Sequence, residues 1–132
     1  MLVEDDWPLV EGIKIKLEKN GFSVVVAKTV NQALGYLEDL AALDVIWLDH
    51  TLLGKETGLD FLTQLKADER WRRIPVFVVS NTANFDDVRS YVRLGADQYY
   101  TKSDNRLNDV IEDIKSFLEN PQEPTESGPK KR

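Results

Sequence analysis

Carboxylates, hydroxyls and one lysine stand where the short apolar runs of this 132-residue chain stop. Glu4, Asp5 and Asp6 follow the run Met1–Val3. Asp49 follows Val45–Leu48 and leads into His50 and Thr51. Ser80, with Asn81 and Thr82, follows Ile74–Val79, and Lys102 follows Asp97–Thr101. If these runs are neighbouring strands, Glu4, Asp5 and Asp49 crowd one rim and repel one another. A divalent cation stabilises such a cluster, and an all-oxygen donor set suits Mg²⁺ rather than zinc. The Ser80 hydroxyl and the Lys102 ammonium then complete a cradle for a phosphoryl group. The lysine would pair with a carboxylate at rest and with phosphate oxygens afterwards.

Each residue alone has an ordinary reading. Asp6 suits a helix N-cap, Asp49 a turn, Ser80 a loop hydroxyl and Lys102 a surface lysine. Tyr99 and Tyr100 suit half-buried strand packing, and His50 reads as a neighbour of the site rather than a participant. The joint placement at four strand ends carries the functional reading.

The composition closes off other chemistries. The chain has no cysteine, so it has no disulfide, thiolate zinc site or cysteine nucleophile. Its one histidine rules out a multi-histidine metal centre and argues against a Ser-His-Asp triad. The balance of 17 basic and 23 acidic residues gives −6, without the electrostatic footprint of a nucleic-acid binder. No apolar run nears the ~20 residues of a membrane span, and no signal peptide is evident. The expectation is a soluble, cytoplasmic domain with no direct nucleic-acid or membrane contact.

The elements that must hold these residues are legible from periodicity. Strands are expected over Met1–Val3, Phe22–Ala27, Val45–Leu48, Ile74–Val79 and Asp97–Thr101. The runs VIWL and IPVFVV are apolar on both parities, as in parallel strands covered on both faces. Helical spacing joins Val10, Ile13 and Leu17; Ala33, Leu34 and Leu37; Leu59, Leu62 and Leu65; Val88, Tyr91 and Val92; and Leu107, Val110, Ile111, Ile114, Phe117 and Leu118. Gly21 and Gly95 end the first and fourth of these helices. Five strand–helix units predict an α/β, doubly wound parallel sheet with right-handed crossovers. Residues 1–119 make the domain. Residues 120–132, holding Pro121, Pro124 and Pro129, read as a flexible tail.

VEDD after a strand, DVIWLD, IPVFVVSN and GADQYYTK follow one another in an order and spacing that resembles the receiver domain of bacterial two-component response regulators. The resemblance covers residues 1 to about 119. It implies a five-stranded flavodoxin-like sheet in the order 2-1-3-4-5, with two helices on one face and three on the other. It also implies that Asp49 is the phospho-acceptor and that Asp5, Asp49 and Glu4 hold Mg²⁺ with the backbone carbonyl of Thr51. Ser80 and Tyr99 would be the switch pair, and Lys102 the lysine of the phosphoryl site.

The sequence departs from the family pattern at several places. Leu53 stands where proline is common, and Gly58 lies one residue further from Asp49 than is common. Ser103 replaces the proline after the lysine, and Asn81 replaces a small residue. Only three residues precede the acidic pair, where a central strand wants about five, so the chain is expected to lack a few N-terminal residues. None of these departures touches Glu4, Asp5, Asp49, Ser80 or Lys102.

The expected function is that of a single-domain response regulator, not an enzyme. It would take a phosphoryl group on Asp49 from a histidine kinase or phosphotransfer protein, with Mg²⁺. It would signal to a protein partner through the fourth helix, fifth strand and fifth helix, because the tail is too short to be an effector domain. A haloacid-dehalogenase-type phosphatase is the enzymatic alternative, but Thr51 stands where that class needs a second carboxylate. An interaction module on the same fold that works without phosphorylation is the other. Trp7 and Trp47 are both expected near the site as fluorescence reporters.

Overall fold

Residues apolar on both parities need cover on both faces, and the fold supplies it. The computed structural model describes residues 1–81 and 84–120. Strand β1 (Leu2–Val3) is followed by α1 (Trp7–Lys19), β2 (Val26–Ala27), α2 (Val30–Asp39), β3 (Ile46–Leu48) and α3 (Gly58–Ala67). Then come β4 (Val76–Ser80), α4 (Phe85–Leu94), β5 (Gln98–Thr101) and α5 (Leu107–Glu119). All neighbours pair in parallel, in the order β2-β1-β3-β4-β5. This is the doubly wound α/β sheet expected from the sequence.

Alternation along the central strands divides the core. Ile46, Leu48, Val76 and Val78 point to one face, packed by Ala33 and Leu37 of α2, Phe61, Leu62 and Leu65 of α3, and Tyr91 of α4. Trp47, Phe77, Val79 and Tyr100 point to the other face, packed by Val10, Ile13 and Leu17 of α1 and by Val110, Ile111 and Ile114 of α5. Three helices thus lie on one side and two on the other. The apolar stripe of α5 holds that helix down, and Ile114→Ala is expected to cost about 2–5 kcal/mol.

Local chemistry sets the helix ends. Asp6, Thr29, Thr57 and Asn84 cap α1 to α4, with a reciprocal capping box between Thr57 and Asp60. Gly95 stops α4 in the left-handed region at φ 99°. Several boundaries differ from expectation. β2 pairs only over Val26–Ala27, rather than from Phe22, because β1 offers only Leu2 and Val3 as partners. β4 runs through Ser80, because Ser80 still pairs with Thr101. Val92, grouped with the core stripe of α4 by spacing, is 44% exposed. The expected tail from Pro121 onward lies outside the described residues.

Candidate functional site

The strand order reverses at β1, which has β2 on one side and β3 on the other, and open α/β sheets place ligands beyond strand ends at such a point. Ladder bonds hold the first polar residue of each rim segment. The Glu4 N–H donates to the Ala27 carbonyl at 2.9 Å, Asp49 to Val3 at 2.9 Å and Lys102 to Ser80 at 2.8 Å. The sheet itself therefore fixes these backbones, as a precise site requires.

The side chains converge. Lys102 Nζ donates to Glu4 Oε1 at 2.9 Å and to Asp49 Oδ2 at 3.2 Å. Glu4 is fully buried. Its Oε2 accepts from the backbone N–H groups of Asp5 (3.2 Å) and Asp6 (3.1 Å). Asp49 is 4% exposed, and its Oδ1 accepts from the backbone N–H of His50 at 2.7 Å. Asp5 is half-buried, and carboxylate oxygens of Glu4, Asp5 and Asp49 all lie within 4.8 Å of one another.

The electrostatics follow from this crowding. Burial pushes the Glu4 carboxyl up to about 7; the Lys102 ammonium pulls it down, and the Asp49 carboxylate adds to the rise. For Lys102, burial favours the neutral amine, but Glu4 and Asp49 outweigh it and hold the ammonium above its usual range. One ammonium faces three carboxylates, so a fully ionised site carries an excess of two negative charges. An all-oxygen donor set with that charge fits a hard divalent cation such as Mg²⁺.

Ser80 closes β4 beside this cluster with only 1% exposure. Burial raises the Tyr99 phenol, while a hydrogen bond with the Ser80 side chain lowers it. The expected switch pair is therefore already in contact. The Thr51 side chain is exposed.

Two residues gain a place that sequence reasoning did not assign. His50 Nδ1 and the Tyr91 hydroxyl share a hydrogen bond of 2.7 Å, so His50 is built into the wall of the site. Tyr91 was legible only as helix core, since no local pattern ties it to a residue 41 positions away. One expectation is corrected: Trp47 is no reporter of the site. It is 2% exposed and lines a cavity of about 310 Å³ at the opposite end of the sheet, with Met1, Val24 and Val45. Its position on β3 turns the indole toward α1 and α5. Trp7, 54% exposed beneath Lys28 Nζ at 4.4 Å, does sit beside the acidic loop.

Comparison with known proteins gives a consistent picture. The family model described as "Response regulator receiver domain" matches residues 1–115. The phosphate regulon transcriptional regulatory protein PhoB of Escherichia coli is 34% identical over 102 residues, covering 77% of this chain and 44% of PhoB. The transcriptional regulatory protein CpxR of the same organism is 35% identical over 118 residues, covering 89% of this chain and 48% of CpxR. The chain thus spans just under half the length of these relatives. Among solved structures, the phosphorylated cyanobacterial phytochrome response regulator RcpA superposes with a TM-score of 0.77 at 30% identity, covering 92% of this chain and 94% of RcpA. The Mn²⁺-bound form of response regulator Rcp1 gives 0.75 at 26% identity, covering 94% and 96%. Among the described residues, no helix is long and apolar enough to cross a membrane.

Proposed function

The chain belongs to the receiver-domain family of two-component response regulators, and we propose that Asp49 is its phosphoryl acceptor. The observation that carries this reading is the lysine held between two buried carboxylates at the switch point, 2.9 Å from Glu4 and 3.2 Å from Asp49. In the transfer, the N–P bond of a donor phosphohistidine breaks and a P–O bond to an Asp49 carboxylate oxygen forms. The imidazole nitrogen keeps the electron pair, and the product is an acyl phosphate. No general base is called for, because a carboxylate attacks without losing a proton. Lys102 is placed to leave Glu4 and follow the charge that develops on the phosphoryl oxygens, and the Ser80 hydroxyl to donate to one of them.

Asp5, Asp49 and Glu4, with the Thr51 backbone carbonyl, would hold Mg²⁺, which when bound would offset repulsion between these carboxylates and an incoming phosphoryl dianion. That RcpA was solved phosphorylated and Rcp1 with Mn²⁺ supports both halves of the reading.

The output is a population shift between two packings, which needs only a few kcal/mol of differential contact. Ser80 exchanges its bond with Tyr99 for one to the phosphoryl group, Tyr99 repacks, and α4 shifts. The partner surface is α4, β5 and α5, read by a downstream protein in the cytoplasm, with a histidine kinase or phosphotransfer protein as donor.

Incubation with acetyl phosphate and Mg²⁺ tests the reading. One phosphoryl group should add to each chain, seen as a mass increase that hydroxylamine removes, and Asp49→Asn should abolish it. Absence of any adduct on the wild type overturns the proposal. Sustained hydrolysis of many phosphate esters would point to the phosphatase class instead.

A further inference from the structure

Only one residue of α4 is buried. Tyr91 is fully enclosed, while its helix neighbours are half-buried or exposed. Its hydroxyl shares the 2.7 Å hydrogen bond with His50 Nδ1, and the two rings meet edge to face with centroids 5.6 Å apart. The backbone N–H of the same His50 donates to Asp49 Oδ1 at 2.7 Å. The Tyr91 ring also packs on Tyr99, tilted by 50° with centroids 5.6 Å apart. Tyr99 is in turn hydrogen-bonded to Ser80. A run of contacts therefore links Asp49, His50, Tyr91, Tyr99 and Ser80, and α4 meets His50 through the Tyr91 hydroxyl and, at a longer 3.9 Å from His50 Nε2, through Asp87 Oδ2.

The fold leaves no slack around Asp49, His50 and Tyr91. A Cβ on Gly58 would collide with the Asp49 carbonyl oxygen and lie 2.8 Å from the Tyr91 hydroxyl oxygen. The Gly58 N–H donates to the His50 carbonyl at 2.8 Å, which pins the residue between Asp49 and the loop. A close-packed contact of this kind moves as a unit or switches between discrete packings; it does not stretch.

We propose that Tyr91 is a positioning residue that couples the acceptor loop to α4 through His50, a second route beside Ser80–Tyr99. The proposal rests on the reading of Asp49 as acceptor. A phosphoryl group on Asp49 changes what the carboxylate can accept from the His50 amide. His50 then cannot keep both its amide bond and its ring bond in their present places, so Tyr91 and α4 move with it.

Tyr91→Phe keeps the ring and deletes only the hydroxyl. Adduct formation with acetyl phosphate should match the wild type, and the melting temperature should fall only by the few degrees that one lost hydrogen bond costs. Amide shift changes over Phe85–Leu94, induced by beryllofluoride with Mg²⁺, should shrink several-fold, while those at Asp49 and Ser80 persist. Loss of response in α4 in a variant that still folds and still takes the phosphoryl group is a result that a purely structural role for Tyr91 would not produce. His50→Phe, which also removes the 3.9 Å contact with Asp87, should give at least the same loss in α4, and adding Tyr91→Phe to it no further loss. His50→Phe carries the test if Tyr91→Phe does not fold. A full response of α4 in the single variants, or losses that simply add, overturns the proposal while leaving the acceptor reading intact. A wild type that takes no phosphoryl group overturns both.

Discussion

Lys102 Nζ sits closer to Glu4 than to Asp49, 2.9 Å against 3.2 Å, although Asp49 directly follows the central strand β3. The resting lysine thus serves chiefly as the counter-ion of a fully buried glutamate. Charge-assisted hydrogen bonds of this length are the strong kind, and a buried carboxylate without one is costly.

Removing that counter-ion gives the first prediction. Lys102→Ala leaves Glu4 and Asp49 facing each other unpaired, so urea denaturation at pH 8 without Mg²⁺ should show a loss of about 3–5 kcal/mol. Mg²⁺ should then bind more tightly than to the wild type, because an ammonium no longer opposes it. Titration of Trp7 fluorescence would read the affinity, and a weaker affinity would contradict the electrostatic account.

The second prediction concerns pH. Folding raises Glu4 from its ordinary 4.5 to about 7, so between those values the native state binds more protons than the unfolded chain. The resulting stabilisation is fully present below about 4.5 and is lost as pH rises through about 7. Glu4→Gln has no such proton to lose. Between pH 5 and 8 without Mg²⁺, the wild type should therefore lose up to about 3 kcal/mol relative to Glu4→Gln. Equal pH slopes in paired denaturation curves would refute the assignment.

The third prediction is stabilisation by the cation. At tenfold excess over its Kd, a Mg²⁺ ion bound only by the native state adds about 1.4 kcal/mol, a rise of about 5 °C in Tm. Asp5→Asn should remove most of that rise. Asp5 is the most exposed of the three carboxylates, so its own substitution should cost the metal-free fold little. Calorimetric scans with and without Mg²⁺ on both proteins decide the matter.

The fourth prediction concerns Gly58, where the loop after Asp49 meets α3. Gly58→Ala places a methyl group against the Asp49 carbonyl and the Tyr91 hydroxyl, so either the loop or α4 must shift. Overpacking of this kind costs about 1–3 kcal/mol. Phosphorylation by acetyl phosphate should also slow, because the backbone of Asp49 is the part displaced. A variant as stable as the wild type would mean the loop has more room than the geometry gives it.

The chain's own pattern determined the architecture and which polar residues share one rim. Apolar residues on both parities in VIWL and IPVFVV demand strands covered on two faces. Five strand–helix alternations leave few topologies, and the polar residue after each strand must fall on one rim. Glu4, Asp5, Asp49, Ser80 and Lys102 were therefore legible before any coordinates. Periodicity reports burial along one element at a time, and that is where its reach ends. It grouped Val92 with Tyr91, yet one is exposed and the other sealed, because only the tilt of α4 against the sheet decides which edge of the stripe goes inside. It placed Trp47 near Asp49 by position, yet that residue is sealed among the side chains of α1 and α5 and borders a cavity at the other end of the sheet. Lys102 meets Glu4 across 98 residues, and His50 meets Tyr91 across 41. Such pairings depend on strand order, loop closure at Gly58 and helix placement together, so only the tertiary structure decided which carboxylate holds the lysine and which helix holds the loop after Asp49.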